Sequence, residues 1–282
     1  MLHAIDDTSV DEAIALFRKG FPVHDESFWR DGLERLTRHH ETNGFGPVGY
    51  LMGKPGSRTG VALTMVSERM EPDGQRRRVV NLSSWYVEEQ ARWLAPMMLK
   101  HLTAEAGATF TDLTPSPSVR RLIGNLGFQP WNSGSTRAVL PWAALFGGWS
   151  EALITGDALA SSALTPGQRL IVADHAAMGC ITAGLVQGER VSPIVFQPKR
   201  RRGLPTARLI YAERKSELFG QFGAVARFLL SQGMVCVDVP ARAGDLVPGG
   251  WFTTGAPPTF YKGDMGGDCV DHAWSEFVFL RL

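Results

Sequence analysis

The hydrophobic pattern changes period repeatedly along the chain, and each change marks an element. The clearest case is residues 78–106, RVVNLSSWYVEEQARWLAPMMLKHLTAEA. There a β-rich run, Val79–Val87, gives way to a short turn carrying Arg92, and Leu94, Met97, Met98, Lys100, His101 and Leu102 follow at helical spacing. The helix begins at the turn, where unpaired backbone N–H groups and a partial positive charge make a seat for a phosphate or pyrophosphate. Upstream, Leu2–Ile5 reads as a short strand. Val10, Ala13, Ile14 and Phe17 form one face of a helix capped by Asp7, Thr8 or Ser9 and ended by Pro22. Phe28, Trp29, Leu33 and Leu36 form the buried face of a second helix, started by Asp25 or Ser27. Val48–Gly53 and Gly60–Ser67 flank a Pro-Gly turn, the pattern of an antiparallel hairpin, and Asp73-Gly74 marks the next turn.

Downstream, Thr109–Leu113 reads as a strand, Ser118–Phe128 as a helix and Arg137–Leu140 as a closing strand. Pro141–Gly148, with Trp142 and Trp149, reads as a linker or interdomain surface. The succession then begins again: a helical region over Asp157–Ala177, β-like runs Cys180–Gln187 and Val191–Gln197 around Gly188, and a strand over Thr206–Glu213. A helix over Leu218–Ser231 turns Phe219, Phe222, Val225, Ala226 and Leu229 inward, and Met234–Val239 is another strand. A Pro-rich bend, Thr253–Gly263, and a terminal strand pair ending in Trp274–Leu280 close the second sheet. The halves share an order of elements with slight sequence identity. The pattern predicts an α/β (α+β) chain in two halves, 1–145 and 146–282, each a mixed, mostly antiparallel sheet flanked by helices.

Strand, Val87, Arg92, small residue, helix is an order that resembles the acyl-CoA-binding segment of the GNAT acyltransferase superfamily, whose loop reads Arg/Gln-x-x-Gly-x-Gly/Ala. Here the loop is Arg92-Trp93-Leu94-Ala95-Pro96-Met97, with both glycines missing. A second segment in the right order, TFTDL (109–113) followed by SVRRLIGNLGF (118–128), resembles the superfamily's next strand and its helix ending in Leu-Gly-Phe. Ala95 permits close packing, Pro96 removes one amide from the cradle and Trp93 adds bulk there. The resemblance covers most of residues 1–140 and extends to 150–282 by architecture alone. It implies an acyltransferase that moves an acetyl or longer acyl group from acyl-CoA to a small amine or hydroxyl acceptor, and a degenerate, coenzyme-free second half. The rival reading is a binding or regulatory protein that kept the fold and lost the chemistry. The implied coenzyme-binding residues are Trp85, Tyr86, Val87, Arg92, Trp93, Leu94, Ala95, Met97 and Ser116. Trp85–Val87 offers backbone groups to the pantetheine as to an added strand, and Ser116 either approaches the coenzyme or caps the next helix. The slot where the superfamily often carries a base holds Asn81, with Ser83 and Ser84 nearby, and the slot of its usual acidic tyrosine holds Ile123.

Composition narrows the classes further. Of 282 residues, 44% are hydrophobic, enough for sizeable cores and against disorder. The 29 basic and 28 acidic side chains give no global field for nucleic acid or anionic membranes, with one local exception at Lys199–Arg202. Cys180, Cys236 and Cys269 are scattered, as reduced thiols are, which points to the cytoplasm. The N-terminal run lacks the basic head and apolar core of a leader, and no stretch reaches membrane-spanning length.

Further candidates are polar groups expected at a cleft between the halves: Tyr50, Asp174, His175, Tyr211 and Glu213. For His175 a helix-surface or capping role competes with a catalytic one, and for Tyr211 a core aromatic role does. Asp112 is expected to hold a loop amide, and Arg76, Arg77 and Arg78 to line a solvated loop or meet a coenzyme phosphate. Gly266, Gly267, Asp268, Asp271 and His272 read as a turn, short of the ligands and spacing a metal needs. Gly53-Lys54-Pro55-Gly56-Ser57 has the composition of a phosphate loop and the position of a hairpin turn. No Gly-x-Ser-x-Gly and no Ser-His-Asp or Cys/His metal pattern is present.

Overall fold

The computed structural model describes residues 2–71, 74–146 and 153–282. Asp73 of the expected turn, and Gly147, Gly148 and Trp149 of the expected linker, lie outside them. In chain order the elements are β1 (Leu2–Ala4), α1 (Val10–Gly20), α2 (Glu26–Asn43), β2 (Gly49–Lys54), β3 (Ser57–Met70), β4 (Arg76–Val87), α3 (Ala95–Leu102), β5 (Thr109–Asp112), α4 (Pro117–Ile123) and β6 (Gln129–Asn132). They continue as β7 (Gly134–Val139), α5 (Leu140–Phe146), β8 (Leu153–Ile154), α6 (Gly156–Ala160), α7 (Pro166–Ala177), β9 (Ile181–Gln187), β10 (Arg190–Arg201), β11 (Leu204–Ala212), α8 (Lys215–Gly220) and α9 (Phe222–Ser231). The last are β12 (Cys236–Ala241), β13 (Gly250–Thr253), β14 (Thr259–Lys262), β15 (Val270–Asp271) and α10 (Glu276–Phe279).

The architecture is mixed α/β, with two mostly antiparallel sheets of 7 and 8 strands flanked by helices. Two compact units divide the chain and neither is contiguous: one holds Met1–Gln129, Phe260–Asp264 and Trp274–Leu282, the other Pro130–Thr259 and Met265–Ala273.

The first sheet runs β1-β2-β3-β4-β5-β14-β6, antiparallel from β1 to β14 except for β4 and β5. Parallel neighbours need a crossover, and α3 provides it. Alternation along β3 and β4 sends Ala62, Val66, Val80 and Leu82 into a core with Met98, Leu99, Phe110 and Ile123. The buried residues Leu63 and Met65 alternate with them on the opposite face. Phe17 and Trp29, stacked with centroids 4.6 Å apart, bring the two N-terminal helices together. Helix α2 is started by Asp25, whose carboxylate accepts from the Phe28 N–H at 2.9 Å, and is stopped by Gly44 in the left-handed region, φ 68°.

The second unit repeats this plan. Its strands run β8-β9-β10-β11-β12-β7-β13, again with one parallel pair, β11 and β12, joined through α8 and α9. One face of the sheet, through Ala138, Phe196, Ala207, Leu209, Val237 and Val239, packs with Leu140, Ala143, Val225 and Leu229 of α5 and α9. Helix α7 opens on a reciprocal cap in which Thr165 and Gln168 satisfy each other's backbone N–H groups.

Three segments fold differently from their sequence pattern. Arg137–Leu140 does not close the first sheet: β7 pairs with β12 and β13 in the second unit, and its counterpart beside β5 is β14, from near the far end of the chain. Pro141–Phe146 is not a linker but most of α5, because Leu140, Ala143 and Ala144 fall on one helical face and are buried. Trp274–Leu280 is not a strand: Ser275 caps the short helix α10, accepting from the Phe277 N–H at 3.4 Å.

Candidate functional site

The feature that sets a site apart is a bulge in β4. Val61 of β3 pairs with Tyr86, yet Leu63 pairs with Ser83, so Ala62 faces two residues, and Ser84 takes φ 51° to accommodate the extra one. The parallel pairing of β4 with β5 stops just before it, at Leu82 opposite Asp112. Among the described residues no strand pairs with the β5 side of Ser83–Val87. A strand side without a partner strand presents every second N–H and C=O to whatever extended segment approaches it.

The second unit carries the same device in a different state. In β11 the parallel pairing ends at Arg208, and a bulge leaves Ile210 as the extra residue between Leu209 and Tyr211. Here the exposed edge is filled by the protein itself: β15 pairs antiparallel with it, Asp271 against Tyr211 and Val270 against Ala212, and the His272 N–H donates to the Ile210 carbonyl at 2.7 Å.

At the mouth of the first site β4 runs into a 3₁₀ turn, Glu89–Leu94, which continues into α3. Pro96 is accommodated because it lies in the first turn of α3, where an amide is expendable. The Trp85 indole N–H donates to Met98 Sδ at 3.3 Å and ties the strand to the helix. Trp93 is 77% exposed, and Arg92 and Met97 are exposed beside it. Leu94 and Ala95 pack against the core, and Val87 is buried in it. Tyr86 lies against the end of α1, where only a glycine fits: a Cβ on Gly20 would sit 2.5 Å from the tyrosine ring. Two carboxylates mark the start of the 3₁₀ turn. Glu88 is bridged by Lys19 at 2.9 Å, which holds its carboxyl below the usual range, and Glu89 is exposed.

The expected catalytic positions fall in different units. Asn81 is buried on β4 with both ends of its amide engaged: Nδ2 donates to the Thr111 hydroxyl and carbonyl at 3.3 and 3.4 Å, and Oδ1 accepts from the Glu276 N–H at 3.1 Å. Ser83 is buried, 3.2 Å from the Ser84 hydroxyl. His175 and Tyr211 belong to the second unit. His175 is not on a helix surface: it is fully buried in α7, with Nδ1 donating to the Ile171 carbonyl at 2.8 Å. Tyr211 is a buried aromatic on β11. Ser116 caps α4, accepting from the Val119 N–H at 3.4 Å. Arg76, Arg77 and Arg78 are in ion pairs with Glu68, Glu71 and Glu105.

Sequence reasoning missed one group. Glu276 is fully buried at the N-terminus of α10 and accepts from the Thr114 hydroxyl at 2.6 Å. Burial first, and Glu276 after it, push the carboxyl of Asp112, at the end of β5, well above the usual carboxylate range, against the pull of the Thr114 N–H bond and of Arg120. Two carboxyl groups thus share the ground where β4 and β5 part. The only sequence signal was a lone acid in the apolar run Trp274–Leu280, and nothing local says that it meets Asp112.

Among the described residues no group of three or more His, Cys, Asp or Glu side chains is placed to hold a metal, and no helix is long and apolar enough to cross a membrane. No family model matches the sequence, and no curated protein resembles it closely enough to count. Solved structures do. A GCN5-related N-acetyltransferase from Anabaena variabilis is similar over 93% of this chain and 72% of its own, with a TM-score of 0.58 at 10% identity. A probable N-acyltransferase from Enterococcus faecalis gives 0.56 at 12%, over 93% and 72%. A GCN5-related N-acetyltransferase from Kribbella flavida gives 0.53 at 12%, over 93% and 70%. The chain has the fold of the GCN5-related N-acetyltransferases, and its two sheets fit a tandem arrangement of that fold.

Proposed function

We propose that the first unit binds an acyl-CoA along the free edge of β4 and that the chain transfers its acyl group, acetyl or longer, to a small amine or hydroxyl acceptor. The observation that carries this reading is the contrast between the two bulged strands: β15 fills this edge on β11, and among the described residues no strand fills it on β4. A short extended segment is what such an edge takes, as β15 illustrates, and the amide-rich pantetheine arm has that form. The residues fit the rest of such a ligand. Trp85, Leu94 and Ala95 give an apolar wall, Arg92 is an exposed cation on the turn where α3 begins, and Trp93 is exposed beside it.

A bound acyl-CoA would supply the activated thioester carbonyl; the chain supplies position and a proton path. Backbone N–H groups of Ser83–Val87 orient and polarise. Asp112, raised above the usual carboxylate range beside Glu276, is a better proton acceptor than an ordinary aspartate and takes the base's role that Asn81, committed to structure, does not. His175 and Tyr211 have no part in this reading.

A second reading, a protein that binds without catalysing, is favoured by Asn81 being wholly engaged and by Glu89 standing where phosphates would approach. Titration calorimetry with acetyl-CoA and longer acyl-CoAs separates the outcomes. Saturable binding that Arg92→Glu weakens, with CoA release in the presence of an amine panel, supports the enzyme. Binding without release supports the second reading, and no binding at any chain length removes both.

A further inference from the structure

The run Lys199–Arg202 breaks the otherwise even charge of the chain, and the second unit gives half of it a place. Alternation along β10 puts Gln197, Lys199 and Arg201 on the face of the sheet opposite the apolar core, while Arg200 and Arg202 are exposed. Register adds Arg208 of β11, paired with Gln197 and with Asp238 of β12, and Arg137 of β7, paired with Asp238. Three cations converge there on one carboxylate: Arg137 Nε and Lys199 Nζ lie 2.7 and 2.9 Å from the two Asp238 oxygens, and Arg201 Nη1 lies 3.6 Å from one of them. None of the three makes an ion pair with any other carboxylate among the described residues, and Arg137 Nη2 is buried without a protein acceptor.

An ion pair held out of water is tolerable when charges match and donors are met. Here positive charge exceeds negative, and a guanidinium donor is left over. Burial and the neighbouring Arg208 and Arg137 draw the Lys199 ammonium down to about 8, against the pull of Asp238. The same field reaches Cys236, two residues along β12, whose thiol burial and Asp238 raise. A dianion with several oxygens would supply both the missing charge and the missing acceptor, and a phosphoryl group matches a fork of guanidinium donors. Trp251, the cross-strand partner of Arg137 and 47% exposed, gives the same face a flat apolar neighbour. We propose that this face of the second sheet is a binding site for the phosphoryl group of a small phosphate ester, held by Arg137, Lys199 and Arg201. The site is separate from the β4 edge and does not depend on acyl-CoA binding there.

The test uses the full chain in a phosphate-free buffer, titrated calorimetrically with inorganic phosphate, with AMP as a representative ester and with formate as a monoanion control. Phosphate and AMP are expected to bind and formate not to. Lys199→Met is expected to weaken phosphate binding by about tenfold or more, the loss of one charge-assisted hydrogen bond, and Lys199→Arg to restore most of it. Phosphate affinity is expected to fall as pH rises through about 8, where Lys199 gives up its proton. The thermal midpoint of each variant without anion reports folding, and Arg201→Met, from the rim of the cluster, repeats the test if Lys199→Met fails to fold. No phosphate binding, binding equal to that of formate, or affinities unchanged in folded Lys199→Met or Arg201→Met would each overturn the site.

Discussion

At the residue scale, burial decides what each titratable group does. His40 is buried between two backbone groups, Nδ1 donating to the Gly46 carbonyl at 3.0 Å and Nε2 accepting from the Val66 N–H at 3.1 Å, an arrangement only the neutral ring can make. Desolvation takes it from 6.5 down to about 4. The unfolded chain therefore binds a proton below about 6.5 that the folded chain refuses until about 4, so stability falls as pH drops through that window, by up to about 3 kcal/mol. His272 in the other unit, lowered to about 3 by burial, acts in the same direction. Urea denaturation at pH 7 and pH 5 measures the drop, and His40→Asn should flatten it. Asp112 runs the other way. Its folded value is raised, so the stability it contributes is present at low pH and lost as pH rises through that value. Asp112→Asn should raise the denaturation midpoint at pH 7 while slowing acyl transfer about a hundredfold, with acetyl-CoA binding retained. If transfer is unaffected, Asp112 is not the base. These roles were poorly legible in the sequence because they are made by partners far along the chain: Asn81 looked like a vacant base position and is instead a clip between Thr111 and Glu276.

At the element scale, the strand–turn–helix at 78–106 was readable because its signals are local: the β-rich run, the helical spacing after Leu94 and the permitted Pro96 all act within a few residues. The bulge was not, since nothing about Ser84 distinguishes it from a residue in a regular strand until its partners on β3 are known. Ser84 sits at φ 51°, where a β-branched side chain is disfavoured, so Ser84→Val should cost about 1–2 kcal/mol and weaken acetyl-CoA binding, whereas Ser84→Gly should leave both near wild type. Glu89 stands at the start of the 3₁₀ turn, so if the proposed diphosphate docks there Glu89→Gln should tighten acetyl-CoA binding several-fold, more at low salt than at high. Equal affinities for Glu89→Gln and wild type would place the phosphates elsewhere.

At the scale of the whole molecule, the repeat of elements was legible and the exchange of strands was not. Each half supplies the other's sheet: β7 joins β12, and β14 with the chain's last residues joins the unit of β1–β5. Period and propensity say where a strand is, and long-range pairing says which sheet it enters. It follows that a fragment of residues 1–145, although it carries every element of the first five strands, lacks β14 and α10, leaves the outer edge of β5 bare and keeps β7 with no sheet to join. Circular dichroism and urea denaturation of that fragment should show no cooperative transition, while the full chain unfolds cooperatively. Among the described residues no strand fills the β5 side of Ser83–Val87, and hydrogen–deuterium exchange of the full chain with and without acetyl-CoA shows whether a ligand does. Acyl-CoA binding along β4 should bring new protection at the amides of Ser83–Val87 and at the start of α3, with the β15-covered edge of β11 unchanged; exchange at Ser83–Val87 that is the same with and without acetyl-CoA would rule that binding mode out.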